Sequence, residues 1–244
     1  MSSERTVDWE KLKRCLAALH RDSKAFLGQA LLIGGGACWF YRAQLRQAHD
    51  PDFTLPLLSG QTEARWLSKD IDFTGIFSED ALALLPHRVA TDSDGRAHIR
   101  VEGVRLGFAQ VGLTIDPEEA LRDAQVGSFH LEGQLVEFLV IDAVSLYREK
   151  LALLQRRNQD QDLLHLSMLR EYLPWQVTVR AEQFLKARGS LPVEEQQQLG
   201  KLIFAVKRKA PELLTDPRIS RRLGPSLGEE NLAARFIKEQ LQIL

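Results

Sequence analysis

An apolar run, Ala30-Leu31-Leu32-Ile33, stops at three consecutive glycines, Gly34-Gly35-Gly36, and helical periodicity follows from Ala37 to Gln47. The run reads as a short buried strand and the glycines as the turn out of it, because glycine alone tolerates the backbone angles and close approaches that such a turn demands. A chain with a strand, a glycine turn and a helix this early needs further strands to cover the first one, which points to a mixed α/β front.

The strands are present downstream. Ile71 to Phe73 reads as a strand framed by Asp70 and Gly75, followed by a short helix from Ser78 to Leu85. Asp92-Ser-Asp-Gly95 is a hairpin turn signal. His98 to Val101, Val104 to Ile115 and Phe129 to Ile141 are rich in Val, Phe and Leu. Ahead of the glycines, residues 8–28 carry Trp9, Leu12, Cys15, Leu16, Leu19 and Phe26 on one helical face. Asp116-Pro117-Glu118-Glu119 has the composition of a helix start. From Val144 the period becomes helical, with predicted helices at 144–173, 176–187, 193–208 and 229–243. The expectation is an α+β fold: a mixed sheet flanked by helices over residues 1–143, then a helical domain over 144–244.

Composition narrows the class. The 244 residues carry 32 Lys+Arg against 33 Asp+Glu, a net charge of -1, so no whole-protein attraction to nucleic acid or anionic membranes exists. No apolar stretch approaches the about 20 residues of a membrane helix. The start of the chain has no signal pattern, and a cytoplasmic protein is expected. Cys15 and Cys38 lack metal-ligand spacing and read as reduced thiols. His20, His49, His87 and His98 form no ligand pattern.

The chemistry lies in Lys69-Asp70-Ile71-Asp72-Phe73. Two residues apart on a strand, Asp70 and Asp72 share a face. Two carboxylates on one face repel unless a cation lies between them. Mg²⁺ typically takes one or two carboxylates together with substrate phosphates. The glycines let backbone approach a phosphate, and the next helix offers free N–H groups. The chemistry suggested is phosphoryl or nucleotidyl transfer. The glycines are neither a P-loop, since no Gly-Lys-Ser/Thr follows, nor a dinucleotide fingerprint.

Strand, Gly-Gly, helix and then Asp-x-Asp on the next strand resembles the nucleotidyltransferase superfamily with the polymerase-beta-like fold. "LLIGGGACWFYR … SKDIDF" is similar to its abortive-infection type, the nucleotidyltransferase-like toxins of toxin–antitoxin pairs. "LYREKLALLQRRNQDQDLLHL" resembles the helix in which those proteins carry a Lys, an Arg and Asp residues, here Lys150, Arg157 and Asp162. The resemblance covers roughly residues 28–170. It implies that Gly35 and Gly36 contact a nucleoside triphosphate and that Asp70 and Asp72 bind Mg²⁺. It further implies that Lys69, Lys150 and Arg157 face the nucleotide, with Asp162 holding Lys150 or Arg157. A nucleotide monophosphate would pass to a hydroxyl on RNA, tRNA, protein or a small molecule, and an antitoxin would be a partner.

The chain departs from that pattern in three places. The interval between the glycines and Asp70 is long, and His49–Trp66 reads as a lid or substrate loop. A third carboxylate, commonly on a neighbouring strand, is replaced by Gly107 in "VRLGFAQ". Glu137 in "LVEFLVI" is the substitute expected to act as base, with Asp116 and Glu102 behind it. His165 stands where a second Asp tends to be, and it could bond Asp162. A protein with two metal carboxylates and no base could bind a nucleotide without turning it over. Among other residues, Trp39, Phe40 and Tyr41 read as core, with base stacking as the alternative. Arg65-Trp66 could cover a nucleotide or pack under the loop. Lys201, Lys207, Arg208 and Lys209, with Arg221 and Arg222, form a basic stretch that would suit an RNA acceptor or be an ordinary solvated helix face.

Overall fold

The computed structural model describes residues 7–53, 70–74, 85–93, 95–108, 115–157, 159–228 and 231–242. Lys69, Arg65, Trp66, most of the His49–Trp66 insertion and the helix expected at Ser78–Leu85 (all but its last residue) lie outside these residues. The chain forms two compact units, residues 1–44 with 56–166 and residues 45–55 with 167–244. The sequence reading divides the chain at 143/144 instead, which assigns the segment 144–166 to the rear half.

In the first unit, helix α1 (Trp9–Asp22) begins where Asp8 accepts a hydrogen bond from the Lys11 amide at 2.8 Å. It buries Leu12, Cys15, Leu16, Ala18 and Leu19 on one face. The predicted 8–28 helix is interrupted at Ser23, which is extended and caps a short second helix, α2 (Lys24–Leu27). Strand β1 (Leu31–Ile33) leads directly into α3 (Gly34–Ala48). The three glycines are therefore the first turn of the helix, where the sequence placed a break before it.

The remaining strands are β2 (Asp70–Thr74), β3 (Ala90–Thr91), β4 (Ala97–Val101), β5 (Val104–Phe108), β6 (Gln125–Leu131) and β7 (Gln134–Val140). Helix α4 (Pro117–Arg122) precedes β6, and α5 (Ala143–Arg157) follows β7. The described strands form one seven-stranded mixed sheet, ordered β3-β4-β5-β2-β1-β7-β6. The β2–β5 and β1–β7 pairs are parallel, and the other neighbours are antiparallel. Two hairpins turn at Glu102-Gly103 and Glu132-Gly133, all four residues at positive φ, as two-residue hairpin turns require. The single strand expected over 129–141 is thus two antiparallel strands. Buried Phe26, Phe73 and Phe108 meet on the sheet face that carries Leu32, Ile71 and Leu106. Trp9, Phe40, Phe129 and Phe138 form a second aromatic group. Cys15 and Cys38 are buried free thiols, pushed up to about 12 by desolvation.

Helix α6 (Asp160–Lys186) runs through the position where the sequence ended one helix at 173 and began another at 176. Pro174 lies within it. Buried Tyr172, Leu173, Val177 and Ala181 continue its apolar stripe past the proline, so packing overrides the local breaking tendency. The second unit adds α7 (Val193–Lys209), α8 (Pro217–Leu227) and α9 (Leu232–Leu241). Helix α8 was not foreseen. No helix among the described residues is long and apolar enough to cross a membrane.

Candidate functional site

Strand β2 places Asp70 and Asp72 on one face, both half-buried, with Ile71 and Phe73 buried on the other. The register fixes their neighbours. Asp72 lies level with Ile33 on β1 and with Gly107 on β5. Two glycines make room for its carboxylate. A Cβ at Gly107 would stand 2.9 Å from Asp72 Oδ1, and one at Gly34 would stand 3.2 Å from Oδ2. Gly34 itself has φ of +61°, a conformation that side chains resist.

Burial pushes the Asp72 carboxyl up to about 6, and the charge of Asp70 adds to the rise, while Lys150, Arg105 and Arg96 oppose it. The surrounding cations thus offset the burial of the Asp72 charge only in part, and a cation at the pair would relieve the remainder.

Asp70 has a different environment. Arg105, directly beside it on β5, donates from Nη1 to Asp70 Oδ2 at 3.1 Å. The same guanidinium donates from Nη2 to Asp92, whose other oxygen lies 3.2 Å from His98 Nδ1. Sequence spacing gave no sign of Arg105 or Asp92, because their approach to Asp70 depends on the pairing of distant strands.

Behind the pair stands a second cluster, built by α5 and the start of α6. Asp142 caps α5, its Oδ1 accepting from the Val144 and Ser145 amides at 3.0 and 2.9 Å. The helix carries Lys150 inward to 4% exposure. Its Nζ donates to Asp162 Oδ1 at 3.2 Å. Arg157 grips the same carboxylate with Nε and Nη2 at 2.7 and 2.9 Å, a bidentate pairing. Asp162 is fully buried and holds both cations. Burial alone would raise its carboxyl, but the Arg157 hydrogen bond and the Lys150 charge hold it below the usual value. The Arg157 side chain retains 43% exposure. His165 is buried, and desolvation followed by the Lys150 charge pushes it well below its ordinary value, so the ring is neutral.

The expected residues divide accordingly. Asp70, Asp72, Lys150, Arg157 and Asp162 all belong to the first unit, and Lys150 and Arg157 are close enough to Asp72 to interact electrostatically. Of the glycines, Gly34 touches the carboxylate and Gly35 is half-buried at the helix start. Gly36 is buried for packing, since a Cβ there would approach Leu32 Cδ1 to 2.8 Å. A phosphate contact at Gly36 would have to come from its backbone.

The proposed substitutes for a third acid lie elsewhere. Glu137 shares the sheet face of Asp72 but is exposed and four residues before Ile141, whose amide bonds Leu32. That places it about 13 Å along the strands and about 10 Å across them from Asp72. Asp116 is occupied as the cap of α4, accepting from the Glu118 amide at 2.7 Å. Glu102 is exposed in the β4–β5 turn. Trp39, Phe40 and Tyr41 are buried core residues. Arg222, counted in the basic stretch, is bound by Glu182 and Asp50.

No family model matches the sequence, and no curated protein does. Two solved structures are similar in fold. One is an antigenic nucleotidyltransferase-like protein from Paracoccidioides brasiliensis, 15% identical, with 90% of this chain and 100% of that chain covered at a TM-score of 0.45. The other is the Megavirus polyadenylate synthase, 10% identical, with 72% of this chain and 37% of that chain covered at a TM-score of 0.39.

Among the described residues no group of three or more His, Cys, Asp or Glu side chains is placed to hold a metal ion. Two carboxylates remain, with glycines opening the space before them. That donor set fits a hard divalent ion that completes its coordination with water and substrate phosphates.

Proposed function

We propose that the protein binds a Mg²⁺–nucleoside triphosphate at Asp70 and Asp72 and transfers the nucleotide monophosphate to a hydroxyl acceptor. The observation that carries this reading is the Asp72 carboxylate, set between Gly34 and Gly107 on the face it shares with Asp70, with Lys150 near enough to act on its charge. Mg²⁺ would be held by Asp70 and Asp72 and would supply charge neutralisation at the phosphates. The start of α3, at Gly34 and Gly35, offers backbone N–H groups to phosphate oxygens. Arg157, exposed and fixed by Asp162, and buried Lys150 supply two cations whose charges reach Asp72. The acceptor is RNA, tRNA or protein, and a toxin role with an antitoxin partner rests on the sequence resemblance alone.

A second reading has its own support. Gly107 stands level with Asp72 where a base would be useful, and Glu137 is remote. A protein so built binds the nucleotide, or a partner, and catalyses nothing.

Calorimetric titration of each Mg²⁺–NTP into wild type and into the Asp70→Asn/Asp72→Asn double variant tests the site. Binding lost in the variant is the expected result, and equal binding by both proteins sinks the proposal. Incubation with α-labelled NTP and cellular RNA or protein then separates the readings. Label on an acceptor supports transfer; binding with neither label nor pyrophosphate release supports the second reading.

A further inference from the structure

Arg105 holds Asp70 at 3.1 Å from one side and is held by Asp92 from the other. The three side chains are similarly shielded, at 28–30% exposure. A guanidinium anchored at both ends cannot leave without breaking two charge-assisted bonds. It therefore stays beside the carboxylate pair as a fixed positive charge. Asp72, two residues on, faces the glycine gaps instead.

We propose that Arg105 is a positioning residue and an internal counter-ion for the carboxylate pair. It fixes the Asp70 carboxylate and makes the pair a poor site for a bare divalent cation, so that the ion enters together with a triphosphate. This rests on the nucleotide-binding reading above. The physical basis is simple repulsion. A nearby unit positive charge weakens the binding of a divalent ion on the order of tenfold even where the interaction is as weak as in water. A metal–triphosphate complex carries net negative charge, so the same guanidinium attracts it. Arg105 would thus discriminate between the free ion and the ion delivered with its nucleotide.

Mn²⁺ is the probe, with bound and free ion separated by electron paramagnetic resonance. It is titrated alone, then with a non-hydrolysable ATP analogue, into wild type, Arg105→Gln, Arg105→Lys and Asp70→Asn/Asp72→Asn, each checked for folding by circular dichroism. Arg105→Gln is expected to bind bare Mn²⁺ about tenfold more tightly than wild type and to bind the Mn²⁺–analogue complex no more tightly. Arg105→Lys, which keeps the charge, is expected to stay near wild type in both titrations. The proposal is overturned if Arg105→Gln leaves bare Mn²⁺ affinity unchanged or weakens it, or if Arg105→Lys tightens it equally. Should wild type bind the Mn²⁺–analogue complex and the double variant lose it, the site reading survives that failure. Should no protein bind Mn²⁺ in either form, both readings fall together.

Discussion

Two ion-pair clusters, one in each unit, balance their charges in opposite ways. In the second unit, Arg218 is bound by Asp216 and Glu171 and stacks 4.7 Å from the Phe53 ring, and Arg222 is bound by Glu182 and Asp50. Each guanidinium there meets two carboxylates, which raises both pKa values further. In the α5–α6 cluster of the first unit the ratio is reversed: one carboxylate, Asp162, serves both Lys150 and Arg157. The lesson is one of charge balance. Surplus carboxylate tethers chain segments, as Arg222 tethers Asp50 to Glu182. Surplus cation leaves positive charge that acts on a neighbouring acid, as Lys150 and Arg157 do on Asp72.

The largest expected effect breaks the cation-rich cluster. Asp162→Ala strands Lys150 in the interior without its counter-charge and is expected to cost about 3–5 kcal/mol. Asp216→Ala leaves Arg218 with Glu171 and is expected to cost about 1 kcal/mol. Urea unfolding of both variants measures the contrast, and equal losses would erase the distinction between the two regions.

Next comes the acid that the cluster compensates only in part. The Asp72 carboxyl is raised from 3.8 to about 6 on folding. Between those values the native state keeps a proton that the unfolded chain has released, so stability falls as pH rises through the window and then levels off. A shift of about two units corresponds to about 3 kcal/mol. Asp72→Asn is therefore expected to be about 2–3 kcal/mol more stable than wild type at pH 8 and similar to it near pH 3.5. A variant less stable at pH 8 would contradict the geometry.

The smallest effect concerns the room around Asp72. Gly34→Ala puts a Cβ 3.2 Å from Asp72 Oδ2 on a backbone with φ of +61°. A cost of about 1–2 kcal/mol is expected from the left-handed conformation, read from the shift in urea midpoint. An unchanged midpoint would show that the helix start relaxes without strain.

Much of this was legible in local patterns. Asp70 and Asp72 share a face because strand spacing requires it, and Asp116-Pro117 does open a helix. The same Asp-Pro signature recurs at Asp216-Pro217 and opens α8, yet the following Arg-rich, Gly- and Pro-containing stretch hid it. Its buried Ile219, Leu223 and Leu227 stand four apart and were the available signal. The turn at Glu132-Gly133 was passed over because Phe129 to Ile141 is apolar on both sides of it. Arg105 and Gly107 could not be placed from spacing at all, since their nearness to the Asp pair comes from parallel pairing of β2 with β5. Glu137 was chosen for being an acid within an apolar strand, and register sets it far down the sheet.

The first strand, β1, carries one more consequence. Leu31 to Ile33 is flanked on one side by β2 and on the other by β7, where Leu31 faces Leu139. During synthesis this strand leaves the ribosome long before its partner at residue 139. Until that partner arrives, this interior strand of the finished sheet is an exposed edge, with hydrogen-bonding groups open to any other extended chain. Folding of the first unit is thus timed by its last strand, and a ribosome pausing before residue 140 would hold the nascent chain in its most aggregation-prone state.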